Sequence, residues 1–261
     1  MMNLNCKKDN NELQLTKAGV NQNSPSVLQH DTTIVSANGG YVLTFDDCFI
    51  DEWYDLLPLL DSFNAKATFY ISGFDHYTED QILKLKIIQD HGNEIGYHTL
   101  NHYYLSKYLK NHTMAEYLRN EIDLGVKMMN NAGFFPTSFA FPFGDFTDSS
   151  TVALLTRFQS VRTANGITNM FIRKTRKTNE FNAYGIDNAY SPVMKDVFRS
   201  LKISKENNEP VVYLSHQVIH HYRENGYAAS HERLIEIIQK AKEFGVPSFT
   251  VSQAFRISPK Q

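Results

Sequence analysis

From Gly40 onward, short apolar runs rich in β-branched and aromatic residues alternate with longer segments in which apolar residues recur at helical spacing. Alternation of this kind predicts parallel strands joined by helices. The predicted strands cover residues 41–45, 67–71, 94–97, 138–141, 160–163, 184–186, 211–214 and 248–251, and the predicted helices cover residues 53–63, 79–91, 113–131, 149–157, 192–205 and 230–244.

The number of predicted strands favours a barrel over an open sheet. No repeat or low-complexity linker interrupts the series, and an α/β barrel of about 250 residues commonly forms a single domain. We therefore assign one barrel domain to residues 40–261 of the 261-residue chain. Residues 1–39 are rich in Asn, Gln, Ser and Lys without sustained apolar periodicity, which predicts a flexible polar arm.

Charge and hydropathy argue against two classes of partner. A formal net charge of -2 provides no large field for nucleic acid or an anionic membrane surface, so we expect no nucleic-acid partner. The apolar stretches are also far shorter than the roughly 20 residues that span a bilayer.

The chain has two cysteines, which is too few for a disulfide-stapled scaffold and makes two free thiols the simplest expectation. Cys6 lies in Leu4-Asn5-Cys6-Lys7, a segment similar to the end of a bacterial lipoprotein signal. This similarity suggests a lipid anchor at Cys6 and a location at the bacterial cell envelope. A chance cysteine in a disordered tail is the alternative.

Polar residues fall at the carboxyl ends of four predicted strands, where parallel α/β barrels carry their active sites. An acidic pair, residues 46–47, ends the first strand, and the segment 98–102 follows the third. The segment 142–145 ends the fourth strand, and His216 closes the strand that begins at residue 211. We therefore expect these four groups on one face of the barrel.

The acidic pair, Asp46 and Asp47, directly follows an apolar run. Two carboxylates there are costly to bury unless they are paired, hydrogen-bonded or bound to a metal. A helix N-cap is the alternative, with Asp47 or Asp51 capping the next helix. Adjacent side chains on a regular strand face opposite ways, so both can serve one site only if the strand has already ended.

His98 and His102 have the i, i+4 spacing that, on a helical turn, brings both imidazoles within reach of one ion. Two partly buried histidines bonded to backbone are the alternative. His216 and His220 share this spacing, but on a strand they would lie roughly 13 Å apart. Together with Asp47, the first pair makes a catalytic ligand set with open positions for water and substrate, whereas a structural zinc would take four protein ligands.

His216 carries a side chain whose ordinary pKa near neutrality suits proton transfer. A satisfied core histidine is the alternative. The position of His216 at a strand end, on the same predicted face as the metal cluster, favours a catalytic role.

Four motifs, taken in order, resemble those of the polysaccharide deacetylase family, also called carbohydrate esterase family 4 or the NodB-homology domain. The resemblance spans about residues 40–220, and it implies a distorted (β/α) barrel, TIM-barrel-like with about seven strands. The motifs are Thr44-Phe45-Asp46-Asp47, His98-Thr99-Leu100-Asn101-His102, Phe141-Pro142-Phe143-Gly144 and Leu214-Ser215-His216.

The resemblance also implies a catalytic mechanism. One divalent ion, with zinc as the first candidate, would bind Asp47, His98 and His102, and a metal-activated water would attack the acetamide carbonyl. Asp46 would be the general base that takes the proton of this water. His216 would be the general acid that protonates the departing amine.

In the third motif, the resemblance implies that the backbone N–H of Phe143 helps to hold the oxyanion. Two features depart from the family pattern. Many members carry an Arg in this motif that orients the base, and this chain has Ala140 at that position. No clean Asp-x-x-Asp-Trp element occurs later in the chain, where Asp187 and Arg173 are the candidates to contribute. The residue that orients Asp46 is thus left open.

The leading interpretation is a metal-dependent hydrolase, a polysaccharide deacetylase acting on carbon–nitrogen bonds other than peptide bonds. It would remove acetyl groups from N-acetylated sugars of a cell-envelope or extracellular polysaccharide, and it would itself be located at the bacterial cell envelope or be secreted. One alternative is a metal-dependent hydrolase of a small amide or imide, which a deep closed pocket would favour. The other is a catalytically inactive glycan-binding relative. The motifs do not identify the glycan.

Overall fold

The computed structural model describes residues 39–164, 170–173, 177–187, 194–221 and 226–257. Most strands among these residues are short and belong to one sheet. The strands are β1 (Tyr41–Asp47), β2 (Ala67–Ile71), β3 (Glu94–Tyr97), β4 (Ser138–Ala140), β5 (Ser160–Arg162), β6 (Glu180–Phe181), β7 (Tyr184–Gly185), β8 (Val211–Ser215), β9 (Gln217–Ile219) and β10 (Ala228–Ser230).

Helices follow most of the strands. A π-helical turn, Leu118–Asp123, joins two of them, and 3-10 turns occupy Phe74–His76 and Pro142–Gly144. The α-helices are α1 (Ile50–Asp55), α2 (Leu57–Ser62), α3 (Glu79–Asp90), α4 (Leu105–Tyr108), α5 (Met114–Tyr117), α6 (Leu124–Asn131), α7 (Asp148–Leu154), α8 (Met194–Asn207), α9 (His231–Phe244) and α10 (Val251–Ile257).

The main sheet has eight strands in the order β6-β5-β4-β3-β2-β1-β8-β7, and its named strands all pair in parallel. Within the described ranges, β6 and β7 are the edges of this sheet. Every residue of β1 is buried, as expected for a central parallel strand covered on both faces. The expected fold class, an α/β distorted barrel with about seven strands, is confirmed.

The predicted strand at residues 248–251 is wrong. Ser248 makes only an isolated bridge to Tyr41, and α10 begins three residues later at Val251. The Gln253 N–H donates to Thr250 Oγ1 over 3.3 Å, and the Thr250 N–H donates to Gln253 Oε1 over 2.9 Å. This reciprocal cap starts a helix where the β-branched residues suggested a strand.

Two expectations concern the N-terminal arm and the cysteines. The predicted arm, residues 1–39, lies outside the described residues except for Gly39, as does Cys6 with its suggested lipid anchor. Cys48 is disulfide-bonded, so the expectation of a free thiol is wrong at that position. In the described ranges, each helix is too short or too polar to cross a bilayer.

Candidate metal and catalytic site

The acidic pair lies at the carboxyl end of β1, and both of its side chains are buried. The strand does not end before Asp47, but Asp47 has a φ of 88°. This left-handed conformation breaks the alternation of a regular strand, so both carboxylates reach the same site. The His98 Nε2 lies 3.8 Å from the Asp46 Oδ2 and 3.7 Å from the Asp47 Oδ1.

His98 and His102 lie on a loop after β3 and not on the helical turn that their spacing suggested. The loop bends back on itself because Thr99 and His102 have φ values of 71° and 52°. The His102 N–H donates to Thr99 Oγ1 over 3.0 Å and closes the bend. The two imidazoles therefore meet through loop curvature.

Asp47, His98 and His102 could hold a metal ion, since one ligand atom from each lies within 4.8 Å of the others. The two Nε2 atoms are 3.2 Å apart, and the His102 Nε2 is 3.1 Å from the Asp47 Oδ1. Ligands at about 2.0–2.1 Å from a tetrahedral ion are separated by about 3.3 Å. The Asp47 Oδ1 is also buried without a hydrogen-bond partner among the described residues. The residues therefore fit a divalent ion.

The protonation states of these residues agree with metal binding. Burial lowers the pKa of His98 to about 4 despite the neighbouring Asp46 carboxylate, so the imidazole is neutral at pH 7. The His98 Nδ1 lies 2.8 Å from the Ala140 carbonyl oxygen, which favours a proton on Nδ1 and a free lone pair on Nε2. Burial raises the pKa of Asp47, but the close approach of the His102 Nε2 and the charges of the nearby histidines outweigh it and bring the value to about 2.

Asp46 is held by Arg162, a residue that the sequence did not single out. The Arg162 Nη2 donates to the Asp46 Oδ2, and both side chains are buried. Arg162 ends β5 directly opposite Ala140 of β4. Many family members orient the base with an Arg of the third motif, where this chain has Ala140. In this structure, Arg162 of the neighbouring strand contacts Asp46 instead. An arginine inside a predicted buried strand was the signal in the sequence.

His216 follows β8 and pairs with Asp187, one of the two residues considered for the missing motif. The His216 Nδ1 lies 2.5 Å from the Asp187 Oδ2, and the Ser215 hydroxyl donates to the Asp187 Oδ1 over 2.5 Å. Burial lowers the pKa of His216, but the hydrogen bond and charge of Asp187, aided by the Asp46 and Asp47 charges, raise it to about 9. The imidazole is therefore protonated near neutral pH.

Phe143 lies in the 3-10 turn after β4 and has a φ of 59°. Its ring contacts the His102 imidazole at a centroid distance of 4.5 Å. The residues expected at the site lie near one another at the carboxyl end of the sheet. The roles assigned to them individually stay predictions.

A comparison with protein-family models matches residues 37–159 to the polysaccharide deacetylase family. A curated relative, the peptidoglycan-N-acetylglucosamine deacetylase of Bacillus cereus, is 35% identical over 113 residues. That alignment covers 41% of this chain and 47% of the relative, so this chain matches about half of the length of that relative.

Solved structures show the same fold at low sequence identity. The structure of T48 deacetylase with substrate has a TM-score of 0.59 at 20% identity, and the match covers 88% of this chain and 97% of that chain. A family 4 carbohydrate esterase from Streptomyces lividans, in complex with acetate, has a TM-score of 0.56 at 16% identity, covering 81% and 92%.

A third similar structure is described as a pseudoenzyme of carbohydrate esterase family 4 from Bacillus anthracis. It has a TM-score of 0.55 at 18% identity, and the match covers 84% of this chain and 66% of that chain. The fold alone therefore does not establish activity. Residues 37–159, which carry the first three motifs, are therefore similar to the polysaccharide deacetylase family, and the solved structures share the fold of this chain.

Proposed function

We propose that this protein is a metal-dependent hydrolase that removes acetyl groups from N-acetylated sugars of a polysaccharide. The observation that carries this proposal is the buried cluster of Asp47, His98 and His102, whose ligand atoms face one another at metal-binding distances. Asp46 and His216 lie at the same end of the sheet with partners that fix their orientation.

Asp47, His98 and His102 would hold one divalent ion, and zinc is the first candidate for two imidazoles and one carboxylate. When bound, such an ion acts as a Lewis acid that lowers the pKa of water toward about 7 and polarises a carbonyl group. A ligand set of three side chains leaves coordination positions open for water and substrate.

The other residues of the site would move the two protons of the reaction. The Asp46 carboxylate, oriented by Arg162, takes a proton from the attacking water as the new carbon–oxygen bond forms. The His216 imidazolium gives its proton to the amine nitrogen as the carbon–nitrogen bond breaks, and Asp187 keeps that imidazole protonated and aligned. The Phe143 N–H is proposed as a donor to the oxyanion.

The proposed substrate is an acetylated glycan of the bacterial cell envelope or its surroundings. The curated relative is named for peptidoglycan N-acetylglucosamine, and that glycan is the first to test. Localisation at the envelope or secretion would agree with such a substrate.

An acetate-release assay across acetylated glycans, with and without a chelator, tests this function. We expect release from at least one N-acetylated glycan, loss of release with chelator, and recovery on addition of zinc. Binding of glycan without acetate release under any metal condition would support the inactive relative instead. Release of product only from a small cyclic amide or imide would support the other alternative.

A further inference from the structure

The Arg162 guanidinium makes one hydrogen bond among the described residues. Its Nη2 donates to the Asp46 Oδ2, whereas its Nε and Nη1 are buried and have no hydrogen-bond partner in those ranges. A carboxylate fixes the plane of a guanidinium when it pairs with two nitrogens, and a bond to one nitrogen leaves that plane free to turn. The orientation of Arg162 therefore depends on the side chains packed against it.

The ring of Tyr70 packs against this guanidinium. The Arg162 Cζ lies over the ring, 5.1 Å from its centroid, and both side chains are buried. An arginine within about 6 Å of an aromatic face is attracted to it, most strongly where both groups are shielded from water. Burial also raises the pKa of Tyr70 well above its ordinary value, so the hydroxyl carries no charge. Tyr70 thus contacts Arg162 as a neutral ring.

The backbone of β3 leaves room for the Tyr70 ring. Tyr70 of β2 pairs with Gly96 of β3. A Cβ atom at Gly96 would lie 2.5 Å from the Tyr70 Cδ1 and 2.9 Å from the Ser138 Oγ. The ring therefore lies directly over Gly96, with Ser138 beside it. The Ser138 hydroxyl donates to the Glu94 Oε1 over 2.7 Å, so this neighbour is itself fixed.

Tyr70 also lies opposite Asp46 in the sheet. Asp46 of β1 pairs with Tyr70 of β2 in parallel register, so both side chains face the same side of the sheet. Arg162 reaches Asp46 from β5, across the three strands between them. The Tyr70 ring contacts the guanidinium along this path, and a shift of the ring would move the guanidinium relative to the carboxylate.

We propose that Tyr70 is a positioning residue for deacetylation, because its ring holds the Arg162 guanidinium against Asp46 and so keeps the base aimed at the attacking water. This inference rests on the proposed function, in which Asp46 is the general base. Loss of the ring and loss of the guanidinium then disturb the same step, so their effects on rate should not add.

A double-mutant cycle on Tyr70 and Arg162 tests this inference, with kcat and KM for acetate release from an N-acetylglucosamine oligomer as the measurements. Tyr70→Leu should lower kcat about threefold to tenfold with little change in KM, since a misaligned base slows proton transfer without weakening substrate binding. In Arg162→Met protein, the same substitution should lower kcat no further. Tyr70→Phe keeps the ring and should retain most of kcat.

Two further variants separate positioning from a general loss of stability. Tyr213→Leu removes a buried tyrosine of β8 that contacts Ser200 and pairs with Leu43, which places it on the face of the sheet opposite Asp46. This variant should lower the melting temperature but leave kcat unchanged. Gly96→Ala keeps Tyr70 but displaces its ring, so it should lower kcat as Tyr70→Leu does. It also replaces Tyr70→Leu in the cycle if that variant does not fold.

The same factor of loss in kcat in both backgrounds would overturn the inference, as would an unchanged kcat in both Tyr70→Leu and Gly96→Ala. Failure of the proposed function would look different, because no acetylated glycan would release acetate. In that case crystal structures of the variants test the inference. The Arg162–Asp46 contact should be lost in Tyr70→Leu or Gly96→Ala and kept in Tyr70→Phe, and an unchanged contact in all of them would overturn it.

Discussion

Left-handed backbone conformations at non-glycine residues cluster around the candidate site. Asp47, Thr99, His102 and Phe143 all have positive φ values between 52° and 88°. Such conformations cost free energy, and for a β-branched residue such as Thr99 they are rare. They aim neighbouring side chains at one point, which regular strands and helices do not do. Local sequence propensity gives no sign of them.

Arg162 is expected to act by orienting Asp46. Replacing Arg162 with Met should lower kcat by about tenfold to a hundredfold while metal content stays unchanged, because the base loses its anchor but the ligand set is intact. Adding Ala140→Arg to this variant returns a guanidinium to the neighbouring strand and should restore part of the rate. Loss of metal as the first effect, or an unchanged kcat, would contradict this role.

Asp187 is expected to set the pH range of activity. The charge and hydrogen bond of Asp187 raise the pKa of His216 above its ordinary value, so the protonated acid persists to higher pH. Asp187→Asn removes these effects, and the pKa of His216 should fall. The alkaline limb of the pH profile of kcat/KM should then move to lower pH. A limb that stays in place would exclude His216 as the titrating acid.

A π-helical turn beside the sheet positions the loop that carries His98 and His102. The π-helical turn between α5 and α6 places Glu121 against this loop, where the Asn101 backbone N–H and the side-chain Nδ2 each donate to its carboxylate over 2.8 Å. The Tyr97 hydroxyl donates to the Glu121 carbonyl oxygen over 2.6 Å. π-helical turns are often found at functional sites. Here the turn anchors the residue that directly precedes His102.

Glu121→Gln should therefore weaken the metal site without touching a ligand. In the variant, the glutamine NH2 group replaces one of the two carboxylate oxygens and faces an N–H donor of Asn101, so one of the two hydrogen bonds to the loop is lost. Metal affinity should therefore fall about tenfold to a hundredfold. Glu116→Gln is the matched control, since Glu116 is only partly buried and a glutamine preserves its capping box with Thr113. Equal metal affinities in the two variants would contradict this account.

For the whole molecule, the alternation of strands and helices was enough to predict the barrel and the face that carries the site. Parallel strands place their carboxyl ends together, so residues 46–47, 98–102 and His216 were expected to meet. The Arg162–Asp46 contact depends on register between β4 and β5 and on the reach of a long side chain. Neither property is visible in a local pattern.

The sequence also left Asp187 as one of two residues that could replace the missing Asp-x-x-Asp-Trp element, and the structure places Asp187 in direct contact with His216. The predicted strand at residues 248–251 was wrong, because its β-branched residues are typical of a strand whereas Thr250 and Gln253 cap the start of a helix. Tertiary contacts also favour the helix, since the Val251 N–H donates to the Thr68 Oγ1 and the Ser252 N–H donates to the Glu94 Oε2.

The central claim is that one divalent ion on Asp47, His98 and His102 is required for deacetylation. The most direct measurement removes metal with a chelator and returns zinc stepwise while acetate release from an N-acetylated glycan is followed. Activity should rise to a plateau at one zinc per chain, and Asp46→Asn should bind the same zinc with little activity. Asp47→Asn should bind zinc weakly. Full activity in metal-free protein, or equal zinc binding by both variants, would contradict the account.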